Sequence, residues 1–203
     1  MSRVLLVRHG ETDWNRQRRI QGWAPTLLNE RGREQARALG SGLGDEGVDS
    51  IVASDLPRAM ETAEIIGREL GLTVGQDWRW RERDFGFCQG LDYDEFDGRF
   101  PQLSVNRSGR DAVEARPESG ETYREMFQRV REAWDELVAE TASGETRLII
   151  THGGPLYSLI GYLKGLDLVD SIVELDQDNC AVNEIDLERK PTIVRDNDTD
   201  VWR

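Results

Sequence analysis

The chain of 203 residues is poor in the side chains that build metal sites and disulfide frameworks, since it contains two histidines and two cysteines. The spacing of Cys88 and Cys180 fits neither a metal-binding motif nor a disulfide framework. No apolar run approaches the roughly 18 residues that a membrane-spanning helix needs. The first residues lead into a strand-like segment without the apolar core of a signal peptide, so we expect a cytoplasmic protein.

Lysine is scarce as well, because Lys164 and Lys190 are the only two among 26 basic residues, which face 39 acidic residues. The formal net charge of −13 argues against non-specific binding to nucleic acids and against docking on anionic membranes. An anionic substrate must therefore be attracted by a local basic cluster. An acidic, lysine-poor composition is typical of adaptation to high salt, and a GC-rich genome that favours arginine codons is the alternative explanation.

Apolar runs rich in β-branched residues alternate with helical patterns, which is typical of an α/β fold with a mostly parallel sheet. The length predicts one domain over residues 1–203. The predicted strands lie near residues 3–8, 49–53, 72–75, 147–151, 179–187 and 191–195. The predicted helices cover residues 30–43 after an N-cap at Asn29, a segment that starts at Pro57 after a cap at Ser54 or Asp55, residues 121–141 and residues 155–164.

Two segments depart from this alternation. Between about 76 and 120 the sequence is rich in Trp, Asp, Arg and Gly, with a weak helical pattern at 92–100. We interpret this segment as a small insertion that forms a cap over the functional site. Residues 195–200 form a polar, acidic tail that we expect to be mobile.

The two histidines occur in matching contexts, each at the end of an apolar, strand-like run and before a glycine. The two runs are VLLVRHG over residues 4–10 and LIITHGG over residues 148–154. Ligands of open α/β sheets bind outside the carboxyl ends of the strands. We therefore expect separate segments to bring four side chains to one edge of the sheet, namely Arg8, His9, Arg58 and His152.

This arrangement predicts a site for a phosphate group. The planar fork of arginine donors matches phosphate oxygens, and helix N-termini add backbone N–H groups. Two nearby arginines disfavour the imidazolium form of His9, so its neutral ring has a nitrogen free to attack phosphorus. Arg8, Arg58 and His152 would hold the equatorial oxygens of the transferred group. A leaving alkoxide needs a proton, and Glu82, which lies among aromatic residues, is the candidate donor.

The segment LVRHGETDWN at residues 6–15 resembles the signature of the histidine phosphatase superfamily, in its phosphoglycerate-mutase-like branch. The other segments that carry this resemblance are IQG at 20–22, LNERG at 28–32, ASDLPRAMETA at 53–63, ERDFG at 82–86, ESGET at 118–122 and THGG at 151–154. Together they cover most of the chain. The resemblance implies a three-layer α/β/α sandwich with a small cap insertion, and an enzyme that needs neither a metal nor a cofactor.

By the same resemblance, His9 is the nucleophile that becomes phosphorylated, and Glu82 is the proton donor. The phosphate pocket is formed by Arg8, Arg58 and His152. Further positions that line the pocket or contact the substrate in the family are occupied here by Thr12, Asn15, Gln21, Gly22 and Gly153. The implied substrate is a small phosphorylated metabolite, with no nucleic acid or membrane as a partner. The sequence indicates neither the physiological alcohol nor the oligomeric state.

Two activities fit these motifs: a phosphomonoesterase, which gives the phosphoryl group to water, and a phosphoglycerate mutase, which returns it to a bound glycerate. The segment CQG at 88–90 is more similar to the mutases, because the phosphatases usually carry Trp-Glu-Gly there. The cap arginines are scattered among acids and form no cluster for a second phosphate: Arg99, Arg107, Arg110 and Arg116. This acidic cap favours a phosphatase. A non-catalytic phosphate-binding domain is a third alternative, against which the complete catalytic set argues.

Overall fold

The computed structural model describes residues 2–202, and six strands form its central sheet. The strands are β1 (Arg3–Arg8), β2 (Ser50–Ala53), β3 (Val74–Gln76), β4 (Thr146–Thr151), β5 (Val182–Asp186) and β6 (Thr192–Asp198). Their order is β3-β2-β4-β1-β5-β6. The first four are parallel to one another, whereas β5 is antiparallel to β1 and β6 is antiparallel to β5. The predicted mostly parallel sheet is confirmed.

Several of the helices in the described residues flank this sheet, and others lie in the segment 76–120. They are α1 (Asp13–Arg16), α2 (Glu30–Gly42), α3 (Pro57–Leu70), α4 (Tyr93–Arg99), α5 (Val105–Ser108), α6 (Arg110–Glu114), α7 (Tyr123–Glu140), α8 (Gly153–Lys164) and α9 (Leu168–Glu174). Within residues 2–202, no helix combines the length and the apolarity that crossing a membrane requires.

Strand β1 shows why the sheet is covered on both faces. Its successive side chains point to opposite faces of the sheet. Leu5 and Val7 pack in the apolar cluster formed with α2 and α3, whereas Val4 and Leu6 pack in the cluster formed with α7 and α8. All four side chains are fully buried. The predicted three-layer α/β/α sandwich is therefore confirmed.

Most helix starts follow local signals, with one exception. The side chain of Asn29 accepts a hydrogen bond from the Gly32 N–H and caps α2, as predicted. The prediction that Ser54 or Asp55 caps α3 is wrong, because the N-cap is Leu56, which makes no side-chain cap bond. The hydroxyl of Ser54 lies 2.8 Å from His152 Nε2, and Asp55 binds Arg81. Both candidate caps are thus engaged with residues far along the chain.

The chain end also differs from the expectation. Residues 195–200 were expected to be mobile, and this expectation is wrong because β6 extends to Asp198 and pairs with β5. Strand β5 begins at Val182 and not at 179, since Cys180 adopts a φ of 58°, which extended backbone does not allow. Helix α8 begins at Gly153, two residues before the predicted start.

The segment predicted as a cap consists mainly of short helices. The weak helical pattern at 92–100 corresponds to α4, which Asp92 caps. Helices α4 to α6 form small apolar clusters of their own around Phe96 and Val113, apart from the clusters under the sheet. Side chains from this segment line the same cavity as His9.

Candidate active site

His9 directly follows β1, and its hydrogen bonds fix the position of its ring protons. Its Nδ1 lies 2.7 Å from the carbonyl oxygen of Gly10, which can only accept, so Nδ1 carries the proton. Nε2 then has a lone pair, and it accepts a hydrogen bond from Arg58 Nε at 3.2 Å. The side chain is 2% exposed. The local structure therefore provides a neutral, oriented imidazole with its nucleophilic nitrogen facing a guanidinium.

Arg58 lies in the first turn of α3 and is 1% exposed. Its Nη2 donates to the Gly22 carbonyl at 2.8 Å, and its Nη1 donates to the Ala24 carbonyl at 3.2 Å. Burial, with help from Arg8, lowers the pKa of Arg58 to about 10, although the charge of Glu82 opposes this. Arg58 therefore remains a cation at neutral pH, held in place by backbone carbonyls.

Arg8 and His152 complete the cluster around His9. Arg8 ends β1, and its Nη1 donates to the Gln177 carbonyl at 2.5 Å. The rings of His9 and His152 have centroids 5.1 Å apart. Two buried nitrogens, Arg8 Nε and His152 Nδ1, have no hydrogen-bond partner among the described residues. Buried polar atoms normally have partners, so these two nitrogens identify a place where a polar ligand can bind.

Glu82 approaches this cluster from the segment 76–120. One carboxylate oxygen accepts from the Gly154 N–H at 3.1 Å, and the other accepts from the Arg83 N–H at 2.7 Å. A Cβ atom at Gly154 would overlap the Glu82 carboxylate, so only glycine allows this approach. The two neighbouring arginines point elsewhere, since Arg81 binds Asp55 and Arg83 donates to backbone carbonyls. Among the described residues, no guanidinium thus forms an ion pair with the Glu82 carboxylate.

Electrostatics keep both histidines neutral. Burial, followed by the charges of Arg58 and Arg8, holds the pKa of His9 well below its usual value of 6.5. Burial, followed by the charge of Arg58, does the same for the pKa of His152. A neutral His9 is the form that can attack phosphorus, as the sequence predicted.

The structure divides the predicted substrate contacts into two groups. Asn15, Gln21 and Gly22 line the cavity that contains His9 and Glu82. Thr12 is fully buried and caps α1 by accepting from the Asn15 N–H at 3.1 Å. Gly153 is the first residue of α8 and is not part of the cavity wall. Thr12 and Gly153 therefore lie behind the residues that face the cavity.

The cavity has a volume of about 350 Å³. The sequence did not single out several residues of its wall, namely Arg19, Tyr93, Asp97, Tyr157 and Asp176. They come from four separate segments with no common pattern, so only the tertiary fold could have identified them. In the described part of the chain, no three His, Cys, Asp or Glu side chains are grouped as a metal site requires.

The fold is an α/β sandwich, and at the carboxyl edge of its sheet a neutral histidine lies between arginines. These two features define a class of protein, the α/β enzymes that act on phosphate groups through a histidine. The chain belongs to the histidine phosphatase superfamily, whose branch 1 model matches residues 4–199. This result confirms the family resemblance found in the sequence.

Relatives of known name include both mutases and phosphatases. A probable phosphoglycerate mutase from Erwinia tasmaniensis is 35% identical over 192 residues, which cover 94% of this chain and 87% of the relative. The solved structure of Bacillus stearothermophilus YhfR is 31% identical with a TM-score of 0.90, and all of both chains is covered. That of a mycobacterial glucosyl-3-phosphoglycerate phosphatase is 30% identical with a TM-score of 0.85, covering 98% of this chain and 100% of the other.

Proposed function

We propose that this enzyme is a metal-independent phosphomonoesterase that works through a phosphohistidine at His9 on a small phosphorylated metabolite. The observation that carries the proposal is the hydrogen bonding of the His9 ring. The bond from Nδ1 to the Gly10 carbonyl leaves the lone pair on Nε2, beside the guanidinium of Arg58. A phosphoryl group bound by Arg8 and Arg58 would present its phosphorus to this nitrogen.

The first half-reaction transfers the phosphoryl group to the enzyme. The Nε2 lone pair of His9 forms the N–P bond while the P–O bond to the alcohol breaks, and Glu82 gives its proton to the leaving oxygen. Arg8 and Arg58 stabilise the charge on the equatorial oxygens. His152 lies beside His9, and a bound oxyanion would supply an acceptor for its unpartnered Nδ1.

The second half-reaction restores the enzyme. Glu82, now a carboxylate, takes a proton from a water molecule whose oxygen attacks phosphorus. The N–P bond breaks, its electron pair returns to Nε2, and inorganic phosphate leaves. Asn15, Gln21 and Gly22, which line the cavity, are the proposed substrate contacts, and Thr12 and Gly153 support them from behind.

The phosphatase activity is favoured over the mutase activity by the partners of the cap arginines. A mutase must hold a second anionic group while it excludes water. Arg110 binds Asp167 at 3.1 Å, and Arg116 binds Glu125. The guanidinium of Arg99 lies over the ring of Phe100 at 5.3 Å. Arg107 has no ion pair among the described residues, but none of Arg99, Arg107, Arg110 and Arg116 lines the cavity that contains His9. The similarity to a probable mutase keeps that activity as the alternative.

A panel of phosphomonoesters, combined with a coupled assay for the interconversion of 2- and 3-phosphoglycerate, tests this choice. We expect release of inorganic phosphate from several esters and interconversion at a much lower rate. Faster interconversion than hydrolysis would make the enzyme a mutase. Tight phosphate binding without turnover of any ester would indicate a non-catalytic phosphate-binding domain.

The same proposal includes the setting of the reaction. We propose that residues 1–203 form a single domain in which residues 76–120 act as a cap, and that the enzyme works in the cytoplasm. The formal net charge of −13 supports a small-molecule substrate over a nucleic acid or an anionic membrane.

A further inference from the structure

The position of Glu82 indicates where the leaving alcohol lies. Two cavities adjoin at Arg8, one of about 350 Å³ and one of about 310 Å³. Glu82 lines only the larger cavity. In an in-line displacement, the leaving oxygen lies opposite the attacking nitrogen and within reach of the acid that protonates it. The alcohol therefore occupies the larger cavity, a conclusion that rests on the proposed function, in which Glu82 is the donor.

The larger cavity has an aromatic wall and two carboxylates in addition to Glu82. Its rings are those of Phe85, Tyr93, Phe96, Tyr123 and Tyr157. Its carboxylates are Asp97, which belongs to α4, and Asp176, which follows α9. Asp97 is half-buried and Asp176 is exposed. Neither carboxylate has an ion pair or a hydrogen bond with any residue in 2–202, so both charges are free to act on a ligand.

Among the residues that the structure describes, Arg19 is the one arginine of the cavity wall left to offset these two carboxylates, which outnumber it. Arg8 and Arg58 are committed to the phosphoryl group in the proposed mechanism. Arg19 lies at the boundary and lines both cavities. It donates to the Gly90 carbonyl at 2.6 Å and to Gln17 Oε1 at 3.0 Å. A carboxylate on the alcohol would be repelled by Asp97 and Asp176, whereas an ammonium group would be attracted by them and by the aromatic faces.

We propose that Asp97 and Asp176 are specificity-determining residues that favour phosphate monoesters whose alcohol carries an ammonium group and disfavour those whose alcohol carries a carboxylate. The substrate class is thus the phosphate esters of amino alcohols. Both residues act on the charge of the alcohol and leave the chemistry at His9 to the groups described above.

Three esters of similar size test this ranking: O-phosphoethanolamine, glycerol 3-phosphate and 3-phosphoglycerate. We expect kcat/KM to fall in that order, mainly through a rising KM. In Asp97→Asn and in Asp176→Asn, the ratio of kcat/KM between the cationic and the anionic ester should fall about fivefold each. Asp94→Asn is the matched control, because Asp94 is an exposed carboxylate of the same helix α4 outside the cavity wall. Its ratio should equal that of the wild type.

A second measurement needs no substitution. Raising KCl from about 0.02 M to about 1 M should lower the kcat/KM ratio between the cationic and the anionic ester in the wild-type enzyme, since salt screens partly exposed charges. The inference would be overturned by equal kcat/KM for the three esters, or by an unchanged kcat/KM ratio between the cationic and the anionic ester in both variants. Hydrolysis of glycerol 3-phosphate in the same experiment would leave the proposed function intact. If none of the three esters nor p-nitrophenyl phosphate were hydrolysed, the proposed function itself would fail, and this inference with it.

Discussion

The two ends of strand β1 carry arginines in opposite electrostatic states. Arg3, at the amino end, lies 2.8 Å from Glu46 and 2.9 Å from Glu184. Arg195 of β6 binds the same two carboxylates at 2.9 Å and 2.6 Å, which closes a four-membered network. Arg8, at the carboxyl end, has no carboxylate within 4.0 Å among the described residues and donates instead to a carbonyl.

The difference separates charge that stabilises the fold from charge that is available to a ligand. At the amino end each guanidinium is paired with carboxylates of the protein itself, so no unpaired positive charge is available to a substrate. At the carboxyl end, Arg8 and the buried Arg58 leave positive charge uncompensated, which costs stability unless an anion binds. A protein with a net charge of −13 has enough carboxylates to pair every arginine. Other arginines also lack a carboxylate partner, among them the buried Arg83. Arg8 and Arg58 differ from Arg83 because they line the cavity that contains His9, where an anionic ligand can neutralise them.

Substitution of His9 should produce the largest effect at the carboxyl end. His9→Ala removes the attacking nitrogen, and we expect kcat to fall by about 10⁴-fold or more. No labelled phosphoenzyme should be trapped when the variant is mixed with a radiolabelled ester and quenched. Thermal unfolding serves as the control that the variant is folded. Unchanged turnover by His9→Ala would refute the phosphohistidine mechanism.

Arg58 offers a direct contrast with Arg195 at the opposite end. Arg58→Met removes a donor to the phosphoryl oxygens and the partner of His9 Nε2, so we expect kcat/KM to fall about 10²- to 10³-fold. The matched variant Arg195→Met removes an arginine from the amino-end network and should keep kcat/KM within about twofold. Steady-state kinetics on one ester compares them. Similar losses of kcat/KM in both variants would show that the arginines at the two ends do not have separate roles in catalysis and in stability.

The sequence predicted the histidines of the site better than the elements around them. His9 and His152 could be placed at one edge because strand patterns and glycine turns are local signals. The structure of residues 195–198 could not be predicted, because these polar residues extend a strand only by pairing with β5, where Asp198 lies opposite Val182. The aspartates of the cavity wall were missed for the same reason, since Asp97 and Asp176 meet only through the tertiary fold.

The helix caps show the same limit of prediction from local sequence. Asn29 was correctly predicted as a cap because the N–H that donates to it belongs to Gly32, three residues away. Ser54 was wrongly predicted as a cap because its hydroxyl lies against His152, a partner 98 residues away. Local rules thus fail where a functional site recruits the side chain.

Acid should destabilise the carboxyl end before the amino end. Burial and nearby arginines hold the pKa of His9 and of His152 well below 6.5, so below pH 6.5 the unfolded chain binds more protons than the folded one. Their contribution is present above that pH and is lost as pH falls. At the amino end, burial raises the pKa of Glu184, but hydrogen bonds from Arg3 and Arg195 lower it more, to below 4.5. Its contribution is lost only below about pH 4.5.

We therefore expect the free energy of unfolding of the wild type to fall by about 2 kcal/mol between pH 6.5 and pH 5.5, where the two histidines titrate only in the unfolded chain. Urea unfolding at several pH values measures this slope. The double variant His9→Gln/His152→Gln should show almost no fall over the same interval. An equal slope in the double variant would assign the acid sensitivity to other groups.

Salt should have the smallest effect, because it weakens both the ion pairs at the amino end and the repulsion among acidic residues over the whole chain. Screening weakens the ion pairs around Arg3, but it also weakens the repulsion among the 39 acidic residues, which outnumber the 26 basic ones. Because repulsion dominates at a net charge of −13, we expect the wild type to gain on the order of 1 kcal/mol of unfolding free energy between dilute buffer and molar KCl.

The Arg195→Met variant sharpens this prediction. Its net charge is one unit more negative than the −13 of the wild type, and Glu46 and Glu184 keep only Arg3 between them. Salt then screens an additional unpaired carboxylate, so the gain on adding KCl should be larger than in the wild type. Urea unfolding at both salt concentrations gives the two differences. If the wild type were equally stable in dilute buffer and in molar KCl, the acidic composition would not reflect adaptation to salt. An equal gain of unfolding free energy in both proteins would mean that Arg195 does not neutralise the charges of Glu46 and Glu184.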